Sequence, residues 1–307
     1  MNFINPKIDY AFKKIFGNDQ HKDVLISFLN AILHEGKPTI QSLEIIDPYN
    51  APKLSKLKDT FLDVRARLND GTYTIIEMQV LAVHGFAKRV LYNLTKAYSI
   101  QLKPKEDYDT LTPVIGLTIT NFKMFSKKQV NGVLSRFALY DQEHKLEYPM
   151  KDIELVFVEL TKFKKKLEEL ETIMDKWLYF LRYADELEDV PAAMKGEPAI
   201  DEAFQIANFV NMNQEEMDEL EKRKFFTRDM QKLAEAARKA EQKGMEKGME
   251  KGMEKGMEKG MEKGKKEKAI EIAQQLLDVL DDETISQKTG LSLEEVQNLR
   301  TPELKKL

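Results

Sequence analysis

The chain has 307 residues, 42% of them hydrophobic and 33% charged, and no cysteine, which excludes disulfides and thiolate metal sites. No apolar run approaches the roughly 18 residues that a membrane helix needs, and the opening MNFINPKIDYAFKKIF carries no signal-peptide core, so no membrane partner and a cytoplasmic location are expected. The formal net charge of -4 is uneven, with 20 Lys plus Arg against 16 Asp plus Glu in residues 1–150 and 28 against 36 beyond, a bias that suits contact of the first part with a polyanion.

Taken in order, KIDYAFKKIF predicts a helix with Phe12, Ile15 and Phe16 inward and Lys13 and Lys14 outward, stopped by Gly17-Asn18. A second helix is expected over 21–34, where Val24, Leu25, Phe28, Leu29 and Ile32 share one face. Residues 40–47 read as a strand, and Pro48, Asn50 and Pro52 as a loop. TFLDVRARLNDGTYTIIEMQV then reads as two strands around Asn69-Asp70-Gly71, a three-residue hairpin loop with Gly71 in a left-handed conformation. Centring that loop on Asp70 pairs Leu68 with Thr72 and sets Asp63 opposite Glu77, whereas a bulge at Gly71 would shift the pairing by one residue. The two-residue side-chain period puts Asp63 on one face with Phe61 and Arg65, and Glu77 and Gln79 on one face with Ile75, so the three polar groups can converge.

A long helix is expected over 85–102, burying Val90, Leu91, Leu94, Ala97 and Tyr98, with Pro104 closing it. It leaves Arg89, Tyr92, Lys96 and Gln101 beside the hairpin or on its rim. LTPVIGLTIT at 111–120 has the composition of an interior strand reached by a crossover, and residues 137–141 and 153–161 read as further strands. Helical patterning takes over from Lys162, with Trp177, Leu178, Phe180 and Leu181 as anchors. Five uninterrupted GMEK repeats follow from Gly244 to Lys263. At the end lies a helix and a helix-turn-helix-like pair broken by Gly290, with Ser292 and Glu295 spaced as a capping box. The expected divisions are an α/β domain over 1–162, a helical region over 163–243, the repeat over 244–263 and a small helical module over 264–307.

Opposed like charges in a hairpin are unfavourable unless water or a cation intervenes. Asp63 and Glu77, with the backbone carbonyl of Met78, supply the partial oxygen shell that Mg²⁺ takes, Mn²⁺ being a substitute, while Gln79 is placed to hold a water. Hairpin geometry alone leaves a metal site and a plain solvated surface both open. Lys88, Arg89, Tyr92 and Lys96 are the candidate contacts to a nucleic-acid backbone, with Asp9 and Gln101 as accessory groups. His84 could donate to a phosphate or simply cap the helix.

Together, DYAFKKIFG, the LDV around Asp63, the IEMQV around Glu77, RVLYNLTKAY from Arg89 and YDTLTPVIGLTI from Tyr108 resemble the recombination-promoting nuclease or putative transposase family of the PD-(D/E)XK superfamily, over roughly residues 4–160. The resemblance implies a restriction-endonuclease-like α/β core, a central mixed sheet flanked by helices, with an α-helical C-terminal extension. It also implies that Asp63 and Glu77 are metal ligands, that Gln79 stands where the superfamily has a lysine, and that the chain is a Mg²⁺-dependent DNA endonuclease linked to recombination or mobile elements. Two departures stand out: Tyr92-Asn93 replaces the usual paired tyrosines, and Lys103-Pro104-Lys105 replaces a glycine. The competing expectation is a non-catalytic nucleic-acid-binding or transposition-accessory protein with a helical assembly arm, a third is a self-associating structural protein whose arm dimerises, and a homodimer through the core or the helical arm is a candidate assembly.

Overall fold

The computed structural model describes residues 3–46, 49–50, 60–61 and 63–300. Apolar spacing of three and four winds the start of the chain into α1 (Asp9–Phe16) and α2 (Lys22–Leu33), which bury Phe12, Ile15, Phe16, Val24, Leu25, Phe28 and Leu29. Buried Asn30 exchanges two hydrogen bonds of 2.8 Å with the backbone of Ile40 and so fixes the exit from α2.

The strands are β1 (Leu43–Ile46), β2 (Tyr49–Asn50), β3 (Thr60–Phe61), β4 (Val64–Leu68) and β5 (Tyr73–Gln79), followed by the helix α3 (Phe86–Ser99). Beyond it come β6 (Val114–Thr120), β7 (Leu134–Phe137), β8 (Tyr140–Asp141), β9 (Leu146–Glu147) and β10 (Ile153–Glu159). Six of them form one mixed sheet in the order β1-β4-β5-β6-β10-β7, while β2 pairs with β3 and β8 with β9. β1, β4 and β5 are antiparallel, and α3 crosses over so that β6 returns parallel to β5, as its composition leads one to expect. Asp47, Pro48, Pro52 and Leu62, part of the expected strand and loop, lie outside the described residues.

The hairpin has the expected register. Val64 faces Ile76 and Arg67 faces Tyr73, and Gly71 adopts φ +90° in the loop. The strand expected at 137–141 is displaced: β7 ends at Phe137, and Tyr140–Asp141 belongs to a separate hairpin. Arg136 explains the shift. Its guanidinium donates to the carbonyls of Ile32 and Leu33 at the end of α2 and to Glu154 on β10, so tertiary bonds carry a charged residue inside a strand.

Three further helices follow, α4 (Ile173–Tyr183), α5 (Pro198–Ala207) and the 63-residue α6 (Gln214–Leu276). Trp177 is fully buried against Phe16 and Phe28, with ring centroids 5.7 and 5.8 Å away, and its indole N–H donates to Ser27. The chain divides into two units, Met1–Ala234 and Glu235–Leu307. The second contains the GMEK repeats as continuous helix, then α7 (Asp282–Thr289) and α8 (Leu293–Arg300). Ala273, Ile285, Leu291 and Val296 form its small core, Gly290 turns the chain at φ +73°, and Ser292 and Glu295 make the expected capping box.

Candidate functional site

Alternation along β5 sorts its side chains into two environments. Ile76 and Met78 enter the main core with Val64, Ala66 and Leu68 of β4, whereas Ile75 packs on the other face against Leu94 and Ala97 of α3. Glu77 and Gln79 share the face of Ile75 but lie past that apolar patch, at the end of β5 where the first turns of α3 pass. Asp63 immediately precedes β4, and its Oδ2 accepts the N–H of Met78 at 2.6 Å, which ties it to the neighbourhood of Glu77.

Each carboxylate here already faces a protein cation. Arg89 donates to Glu77 Oε1 at 2.5 Å and to Gln79 Oε1 at 2.6 Å, with its guanidinium over the ring of Phe86. The second end of the Gln79 amide is also taken, because its Nε2 donates to the Leu81 carbonyl at 2.8 Å. Lys13 lies 2.8 Å from Asp9 and 3.7 Å from Asp63, and Arg223 of α6 lies 3.5 Å from Asp9. Burial, and then the hydrogen bond to Asp9, push the Asp63 carboxyl well above the usual carboxylate range. Burial works upward on Asp9 too, but the hydrogen bonds from Asp63 and Lys13 and the charges of Lys13 and Arg223 hold it below that range. Ionising one of the two acids thus opposes ionising the other, as expected for like charges in a poorly solvated place.

These groups line a cleft of about 1120 Å³ walled by α1, the end of β5, the start of α3 and Arg223, Phe226, Thr227 and Met230 of α6. Asp9, Met78, His84, Lys88 and Tyr92 line it as well. One expected contact, Lys96, and one expected accessory group, Gln101, do not. Lys96 is only 4% exposed, on the covered side of α3, which takes it away from any nucleic-acid backbone. Gln101 is bound at both ends of its amide to Thr112, just before β6, at the far end of the sheet from Gln79, whose partner is Thr120. Lys13, Arg223 and Asn93 join the cleft without having been named as site residues in the sequence, where Lys13 was on the outward face of α1 and Asn93 half of a departure from the family pattern. The spacing of four between Asp9 and Lys13, and between Arg89 and Asn93, was a legible signal for two of them; Arg223 is brought in from far along the chain.

Among the described residues no cluster of three acidic or histidine side chains is close enough to hold a metal ion. The donor set nevertheless suits a hard cation: Asp63 and Glu77 provide two carboxylates, and Mg²⁺ ordinarily takes one or two and completes its shell with water and phosphate oxygens. No helix among the described residues is long and apolar enough to cross a membrane.

Neither a curated protein nor a solved structure matches the chain. The family model of the PD-(D/E)XK nuclease family transposases matches residues 6–237, which take in the whole mixed sheet, its flanking helices and every residue lining the cleft. With most of its length matched in this way, the chain belongs to the PD-(D/E)XK nuclease family transposases.

Proposed function

We propose that the cleft hydrolyses phosphodiester bonds within DNA, using Mg²⁺ or Mn²⁺, as an endonuclease that serves recombination of mobile elements. The observation that carries this reading is that Asp63 and Glu77 line one cleft at one end of the sheet, with Lys13 beside the first and Arg89 on the second. Asp63, Glu77 and the Met78 carbonyl would hold the ion. A bound divalent ion supplies charge neutralisation for the transferring phosphoryl group and lowers the pKa of water.

The rest falls to the chain. Lys88, Arg89 and Tyr92 lie along one wall and position the DNA backbone, with Arg89 releasing Glu77 when that carboxylate takes another cation and turning its freed N–H groups toward phosphate while it keeps Gln79. Water oxygen then bonds to phosphorus as one P–O ester bond breaks. The water gives up a proton to solvent, and the departing oxygen gains one. Gln79, held between Arg89 and Leu81, sets the resting place of Arg89.

The test is nicking of supercoiled plasmid by purified full-length protein beside Asp63→Ala and Glu77→Ala, with circular dichroism on all three. Wild type is expected to nick with Mg²⁺ or Mn²⁺ and to stop with EDTA. Both variants should fall on the order of 10²-fold or more while staying folded. A folded variant that nicks at the wild-type rate overturns the reading, and DNA retention without cleavage in any metal favours a docking role for the cleft.

A further inference from the structure

Asn93 is 3% exposed, lines the cleft, and its buried Oδ1 has no hydrogen-bond partner in the protein. Its place along α3 can be fixed from its neighbours. One turn earlier Arg89 reaches Glu77 and Gln79; one residue later Leu94 lies 3.2 Å from where a Cβ on Gly116 would sit, and Gly116 pairs with Ile75. Asn93 thus lines the cleft from the stretch of α3 between the residue that reaches Glu77 and the one that packs at Gly116.

A buried carbonyl oxygen left bare is uncommon enough to call for a partner. The chemistry of the cleft narrows what that partner is. A phosphodiester is fully ionised and has no proton to donate, so Oδ1 cannot bind the DNA backbone. Glu77 and the Gln79 carbonyl are acceptors too, and both are held by Arg89. Gln79, the residue expected to hold a water, has both ends of its amide engaged within the protein. Water donates, and Asn93, whose Oδ1 has nothing bonded to it, is one of the residues lining this wall.

We propose that Asn93 is a catalytic residue of the hydrolysis, orienting the attacking water by accepting its O–H at Oδ1. The proposal rests on the nuclease reading above. Asn93 cannot remove the proton, since a neutral amide is no base; it fixes the direction in which the water's lone pair points.

The experiment compares full-length wild type, Asn93→Ala and Asn93→Asp for plasmid nicking under Mn²⁺, DNA retention on filters, Mn²⁺ binding by calorimetry and thermal unfolding. For Asn93→Ala, kcat should fall about 10²-fold, with Mn²⁺ affinity, DNA retention and KM within about twofold of wild type and the protein folded. Asn93→Asp keeps an acceptor and loses the donor, so it should recover part of kcat and add an acidic limb to the kcat–pH profile, because the carboxylate accepts fully only when ionised. Unchanged kcat in Asn93→Ala overturns the proposal. So does a matched loss of Mn²⁺ affinity, which would make Asn93 a direct ligand, or an Asn93→Asp variant as inactive as Asn93→Ala. A wild type that binds Mn²⁺ but cleaves no DNA removes the nuclease reading itself, a pattern distinct from a loss confined to Asn93.

Discussion

Lys88 and Lys96 lie two turns apart on α3, yet only Lys88 is exposed on the cleft wall; Lys96 sits beside Asn93 and Ala97 on the covered side. Removing them should therefore have opposite consequences. Lys88→Ala is expected to weaken DNA retention at low salt and to reduce its salt slope by about one counterion, with unchanged thermal stability. Lys96→Ala is expected to leave DNA retention alone and to lower stability by about 1–3 kcal/mol in urea unfolding, the cost of removing a packed stem and a buried polar head with its partner. Equal effects of the two on DNA would contradict the placement. Lys96 was beyond reach of the sequence because both faces of α3 carry polar residues: Val90, Leu94 and Ala97 mark the inner stripe, but Asn93 and Lys96 lie within it. The Asp63–Glu77 pairing was legible for the converse reason. Centring the short loop on Asp70 selects the register that the strands adopt, Val64 facing Ile76, and the alternation of β4 and β5 agrees with it.

At the scale of elements, α4 depends on its first turn. Thr172 accepts the N–H of Asp175, while the Asp175 carboxylate accepts N–H bonds from Thr172 and Glu171 and a charged contact from Lys165 at 2.8 Å. This cap orients the helix that delivers Trp177 into the core. Burial alone would raise the Asp175 carboxyl, but the Lys165 and Thr172 hydrogen bonds outweigh it and hold the group below the ordinary 3.8. A depressed carboxylate contributes its stability above the unfolded-state value and loses it as pH falls through the folded value. Asp175→Ala should then cost about 1–2 kcal/mol at pH 5 to 7, with the gap to wild type constant across that range and narrowing only below about pH 4. Urea unfolding across the pH series checks it, and a gap that closes between pH 7 and pH 5 would point to another group. The helices and interior strands were readable from period and composition, since burial of one face writes itself into the spacing. β7 was not, because Arg136 is stabilised there by carbonyls of α2 and by Glu154, partners that no local window contains.

For the molecule as a whole, the open matter in the sequence is whether the GMEK tract forms helix or tether, and the structure gives helix throughout. Met, Glu and Lys favour it, and Lys and Glu meet at i, i+3, but other features of the four-residue period work against stability. Like charges recur at the i, i+4 spacing, where they repel, and each residue type turns by about 40° per repeat, so no apolar seam forms. The five methionines, Met245 to Met261, are accordingly 56–74% exposed. Glycine adds its own cost of about 1 kcal/mol per residue relative to alanine. At Gly244, Gly248, Gly252, Gly256 and Gly260 nothing lies within 4 Å of an added Cβ, so alanine would meet only open space. Replacing all five with alanine is therefore expected to stabilise the helix by up to roughly 5 kcal/mol, read as slower amide exchange across residues 244–263 and helical circular dichroism that persists to higher temperature. Plasmid nicking should not change, because every residue lining the cleft belongs to the first unit. A fall in nicking rate with the tract stiffened would show that its weakness is used in the reaction, and unchanged exchange rates would show that the glycines are not what limits the helix.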